Sequence, residues 1–144
     1  MSERQRFTDL FEHFEFTLKR RGFLQKGRDH AQADWDSFER GLGQGFFDEV
    51  RDAGIAKTLI AEPPGKLMRA PLEWKRPDGR LATTHELFVQ GVCRVRNSLV
   101  HGEKYKGDAI QAARDDVLVS EALAVLKAAQ SLLAIPEPGG ETAT

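Results

Sequence analysis

The chain has 144 residues, a formal net charge of −1, 40% hydrophobic and 30% charged residues, and a pI near 6.4. That length suits one domain with a sizeable core and is short for two. The charge balance excludes a basic footprint over the whole surface, so any contact with nucleic acid must be local. Cys93 is the only cysteine, which excludes an intrachain disulfide and a cysteine-based zinc cluster. The opening "MSERQRFTDLFEHF" is charged from the start and does not read as a signal peptide. No apolar run reaches membrane-spanning length. The expectation is a protein of the reducing cytoplasm with no membrane partner.

Ser2 to Gln5 is a capping-box pattern, and Phe7, Leu10, Phe11, Phe14 and Leu18 recur at helical spacing. These predict a helix over 4–21, with Lys19, Arg20 and Arg21 suited to its C-terminal dipole and Gly22 as the terminating residue. Residues 25–33 ("QKGRDHAQA") read as a polar connection. Asp34 then caps a short helix over 35–41 carrying Trp35, Phe38 and Leu42, which "GLGQG" interrupts. A second short helix follows over 44–53, through Phe46, Phe47 and Val50.

Residues 55–82 hold four of the six prolines. Pro77-Asp78-Gly79 is a turn sequence flanked by Leu72, Trp74 and Leu81, so a small hairpin and a long packed loop are both compatible with it. Thr83 to Glu86 is a second capping box, opening a helix over 83–101 with Gly102 beyond its end. Asp108 to Gln111 is a third, opening a helix over 108–134 marked by Leu118, Ala122, Val125, Ala129 and Leu132. The tail "PEPGGETAT" has little to bury and is expected to be disordered. The predicted architecture is all-α: one helical domain over 1–135, a tail over 136–144, and a long antiparallel C-terminal helix pair.

The 83–101 helix carries the candidate site. On a wheel of about 100° per residue, Phe88, Val92, Val95 and Leu99 form one apolar stripe. Val89, Cys93, Arg96 and Val100 form a second stripe beside it, at the spacing of a helix–helix seam. Arg96 therefore sits among apolar neighbours, where a guanidinium needs a partner. His101 lies about 140° further round by the same geometry, so one chain does not bring the two together. Two copies meeting across the seam would.

Arg96-Asn97-x-x-x-His101 followed by Gly102 resembles the signature of the HEPN superfamily (higher eukaryotes and prokaryotes nucleotide-binding): an Arg, often with a polar residue after it, and a His four to six residues on. The chain looks like a stand-alone, bacterial-type member. The surroundings "VRNSLVHGEKY" and "ARDDVLVSEALAVLKA", with a Phe- and Glu-rich first helix before a Trp-x-x-Phe segment, extend the resemblance over roughly residues 5–133, although only the Arg-Asn…His-Gly core is specific. The resemblance implies a helical bundle that dimerises. It also implies a metal-independent endoribonuclease whose Arg and His, from two protomers, share one composite cleft. Carried over, Arg96 and His101 are the catalytic pair and Asn97 the intervening polar residue. The implied protein is a toxin or defence effector, with a cognate antitoxin or regulatory protein as partner. In toxin members paired with a nucleotidyltransferase antitoxin a Tyr stands two residues after the His. Here Glu103 occupies that place and Tyr105 follows two residues later.

The chemistry also follows from the residues. RNA can be cut by its own 2′-OH, so the protein need supply only a base near neutral pH and a donor for the phosphorane charge. Imidazole suits the first role, and the planar, always charged guanidinium suits the second. Arg94, Lys104 and Lys106, with Tyr105 beside them, make a local basic patch for an RNA backbone. Two plainer readings stand beside this one: Arg96 pairs with Asp115 or Asp116 to hold two helices in register, and His101 merely complements a helix dipole. A non-catalytic HEPN module binding RNA, a nucleotide or a protein partner is the alternative function. His13, His30 and His85 share no ligand spacing, so neither metal nor cofactor is expected.

Overall fold

A computed structural model describes residues 2–27, 29–69, 72–75, 79–101 and 109–133; for 66–69, 72–74, 100–101, 109–112 and 133 it gives the backbone course alone. Helix α1 (Glu3–Arg20) begins where the Ser2 hydroxyl accepts the Gln5 amide hydrogen at 3.1 Å. Its other end is closed by Gly22 at φ +89°, with the Phe23 N–H reaching the Leu18 carbonyl at 2.9 Å. That is a Schellman-type stop, which requires a left-handed residue. The polar connection that follows is pinched at its neck, where Asp34 N–H donates to Phe23 and Gln25 N–H to Gln32.

Helix α2 (Trp35–Leu42) is capped by the Asp34 carboxylate, which accepts the Ser37 amide at 3.1 Å. Helix α3 (Gln44–Ala53) follows at once and ends at Gly54, φ +69°. Helix α4 (Lys57–Ala61), five residues with no side-chain cap, lies in the stretch that the sequence leaves open. Strands β1 (Lys66–Arg69) and β2 (Leu72–Lys75) then pair antiparallel with Arg69 opposite Leu72. The hairpin thus exists, but it closes ahead of Pro77-Asp78-Gly79 rather than around it.

Thr83 caps α5 (Thr84–Glu86), accepting the Glu86 amide at 3.0 Å, and the Glu86 carboxylate reaches back to the Ala82 N–H at 2.8 Å. The helix continues through a π-helical stretch, Leu87–Val92, into α6 (Cys93–His101). The wider π turns change the phase of everything beyond them, so Val89 does not share one straight stripe with Cys93 and Arg96 as a uniform wheel predicts. Within this stretch Gly91 faces Leu59 of α4; a Cβ there would lie 3.3 Å from the Leu59 side chain. Helix α7 (Ala109–Leu133) is the longest element, and its broadest contact is with α1 rather than with α6. The third capping box, at Asp108, and the tail over 136–144 lie outside the described residues.

The all-α bundle expected from the sequence is therefore the observed architecture, with one small hairpin added. A single contiguous core draws on α1 to α4, the 87–95 segment and α7. Its aromatic centre is Trp35, whose ring stacks on Phe11, Phe14 and Phe88 at centroid distances of 5.2, 5.8 and 5.7 Å. Phe38 meets Phe14 and Phe88 edge-on. Such aromatic pairs add to the gain from burial alone. They fix α1, α2 and the π stretch against one another, which sets the two polar groups described next.

Candidate functional site

Arg96 lies on α6 with its guanidinium carbon 5.3 Å from the centroid of the Phe11 ring on α1. Its Nη1 donates to the Asn97 side-chain oxygen at a long 3.4 Å. Its Nε is buried and has no hydrogen-bond partner. Among the described residues no carboxylate lies within ion-pair distance. Asp116, one of the two acids considered for it, is paired with Arg4 at 3.0 Å. A cation on an aromatic face with an unmet donor has the chemistry to accept an anion.

Cys93 sits one turn before Arg96 and packs against the core. Burial pushes its thiol up to about 12, helped by Glu39 and Glu15 nearby and opposed by Arg96. Partly buried, with its thiol held protonated, it packs as a small hydrophobe rather than serving as a nucleophile. Val89 remains 38% exposed. Arg94, two residues from Arg96 and so on the opposite side of α6, donates to the Pro64 carbonyl at 3.4 Å. Desolvation lowers its pKa. Arg114 reaches the Glu62 carbonyl from α7 at 2.6 Å, so residues 62–64 are held by two arginines. The structure does not bring Arg94 to Arg96. His101 ends α6, but its side chain, like Lys104, Tyr105 and Lys106, lies outside the described residues.

A second polar group lies between α2 and α5. Glu39 on α2 has a side chain only 1% exposed, and His85 Nδ1 approaches its Oε1 at 2.6 Å. The same Nδ1 is 3.4 Å from Asp36 Oδ1. Burial pushes the Glu39 carboxyl up to about 7; the His85 hydrogen bond acts against it, and Asp36 and Asp34 reinforce it. Glu39 Oε2 is buried without a partner. One donor atom from each of Asp36, Glu39 and His85 lies within 4.8 Å of the others. Spacing among the histidines does not reveal this grouping. The signal that does is Glu39 itself, which stands four residues after Trp35 and between Phe38 and Leu42, inside the apolar stripe of α2.

No protein-family model, no curated protein and no solved structure matches the chain.

Proposed function

We propose that the protein is a metal-independent endoribonuclease of the HEPN type, acting as a homodimer whose seam includes α6. The observation that carries this reading is Arg96: a partly buried guanidinium on an aromatic face, its Nε without an acceptor and no carboxylate beside it among the described residues. A structural salt bridge would have supplied that carboxylate. A phosphodiester supplies it equally well and binds such a donor in two-pronged fashion.

In this reading His101 takes the proton from the ribose 2′-OH, whose oxygen attacks the adjacent phosphorus. The bond from phosphorus to the 5′-oxygen breaks, and that oxygen leaves as an alcohol with a proton from the imidazolium. The products are a 2′,3′-cyclic phosphate and a 5′-hydroxyl. Arg96 carries the charge that builds on the phosphoryl oxygens, and Asn97, hydrogen-bonded to it, orients it. Lys104, Tyr105 and Lys106 follow α6 directly in sequence and would meet the flanking backbone. An RNA substrate implies a cytoplasmic site of action, and a cognate antitoxin or regulatory protein would restrain the activity. Among the described residues no helix is long and apolar enough to cross a membrane.

The test compares RNA and DNA of one sequence in excess EDTA. RNA should be cut and DNA left intact, because DNA lacks the attacking hydroxyl. Light scattering should give a dimer at micromolar concentration. A monomer there would remove the composite cleft.

A further inference from the structure

The Asp36, Glu39 and His85 group is not used by the cleavage reading, and it is more than an internal hydrogen bond. Asp36 and Glu39 stand three residues apart on α2 and so share a face. His85 comes from α5, whose Thr84 is pinned by donating to the Gly43 carbonyl at 2.7 Å and accepting the Phe47 amide at 3.2 Å. Arg40 holds the second oxygen of Asp36, leaving Oδ1 turned towards His85. These outer contacts orient the three donors, as supporting residues do around a metal centre. The hydrogen bond to His85 leaves the other oxygen of the buried Glu39 carboxylate unmet, an arrangement that burial alone makes unfavourable.

We propose that Asp36, Glu39 and His85 form a binding site for a borderline divalent cation of the Zn²⁺ class, a structural ion that ties α2 to α5. Four donors about 2.0–2.1 Å from zinc stand roughly 3.3 Å apart. The observed separations, 2.6 and 3.4 Å from Nδ1 and no more than 4.8 Å overall, lie around that value. The His85 side chain is 55% exposed and that of Asp36 48%, so the imidazole is free to swing outwards and a water to complete the shell. Glu39, the buried member, offers Oε1. One imidazole nitrogen with two carboxylates suits zinc better than magnesium or calcium, which favour shells of oxygen alone. Any proton shared between Glu39 and His85 leaves as the ion enters.

Titration of chelator-treated full-length protein with Zn²⁺ by calorimetry tests this. One ion should bind per chain, with no comparable binding of Mg²⁺. At a free Zn²⁺ concentration about 100-fold above Kd the melting temperature should rise by roughly 5–15 °C. His85→Ala, at an exposed rim position, should weaken binding at least 10-fold. Glu39→Gln, which keeps the buried volume, should abolish the melting shift while retaining the helical spectrum. Absence of Zn²⁺ binding by the wild type overturns the proposal. So does binding left intact in folded His85→Ala, which would place the ion elsewhere. Neither result bears on RNA cleavage, which is assayed separately.

Discussion

Arg96 and Glu39 are two partly or fully buried ionisable groups that the fold handles in opposite ways. Beside α6, Arg96 is a cation with a ring beneath it, one long hydrogen bond to its neighbour and an Nε that nothing in the described fold meets. Beside α5, Glu39 is a buried carboxyl group that the same chain answers with a histidine 46 residues away in sequence. The Glu39 group closes an internal contact between two helices. The Arg96 group is open in that no carboxylate among the described residues meets it, and in the proposed reading a phosphate completes it.

The largest effect belongs to the open side. His101→Ala should lower RNA cleavage by about 10²–10⁴, the usual contribution of a proton-transfer group. Its melting temperature should hardly change, since a helix-end cation contributes at most about 1 kcal/mol. A loss of activity matched by a loss of the folded state would make His101 a structural residue.

On the closed side, Glu39→Gln should change how stability depends on pH in metal-free protein. The folded chain holds the Glu39 proton up to about pH 7, whereas an unfolded carboxyl releases it near its ordinary 4.5. Rising pH therefore favours the unfolded chain across that window, and wild type loses stability there. The variant keeps a neutral side chain throughout, so relative to wild type it should gain on the order of 1–3 kcal/mol between pH 4.5 and 7. Denaturant titrations at those two pH values measure the gap. Parallel curves would mean that Glu39 is already ionised in the fold.

Phe11→Leu sharpens the comparison from beneath Arg96. The smaller side chain in the core, with the stacking on Trp35 lost, should lower stability by about 1–3 kcal/mol. It removes the ring that positions the guanidinium, so cleavage should fall by roughly 5–30-fold, in line with a cation–π contact of about 1–2 kcal/mol. An unchanged rate would show that the ring is only packing. The smallest effect is expected at Thr83→Ala, which deletes the cap of the helix that presents both groups. Its stability loss should be about 1 kcal/mol, read as a shift in the urea midpoint.

Much of this was legible in the sequence because its causes are local. Ser2, Asp34 and Thr83 announce three helices by capping the residue three positions on, and the Phe spacing of α1 gives its buried face. Helix α4 carries no such signal, being five residues long and uncapped. The Pro77-Asp78-Gly79 turn chemistry drew attention away from the tighter connection between Arg69 and Leu72. The π stretch over Leu87–Val92, where Gly91 lies against Leu59, has no signature in a uniform helical wheel. Arg96 was visible as a charge in an apolar stripe. Glu39 stands in the same kind of position on α2, but His85 became its partner only when the two helices were brought together.

In the proposed reading the Arg96 guanidinium, whose Nε has no acceptor, serves phosphate chemistry at an RNA backbone. Analysis of RNA product ends in excess EDTA, for wild type and Arg96→Ala side by side, tests it most directly. Wild type should yield 2′,3′-cyclic phosphate and 5′-hydroxyl ends below its metal-free melting temperature. Arg96→Ala should yield none above background, yet melt at or slightly above the wild-type temperature, because a partly desolvated charge has been removed with no carboxylate orphaned. Equal cleavage by the two proteins, or a several-kcal/mol loss of stability in Arg96→Ala with no cleavage by wild type on any RNA, would contradict the account.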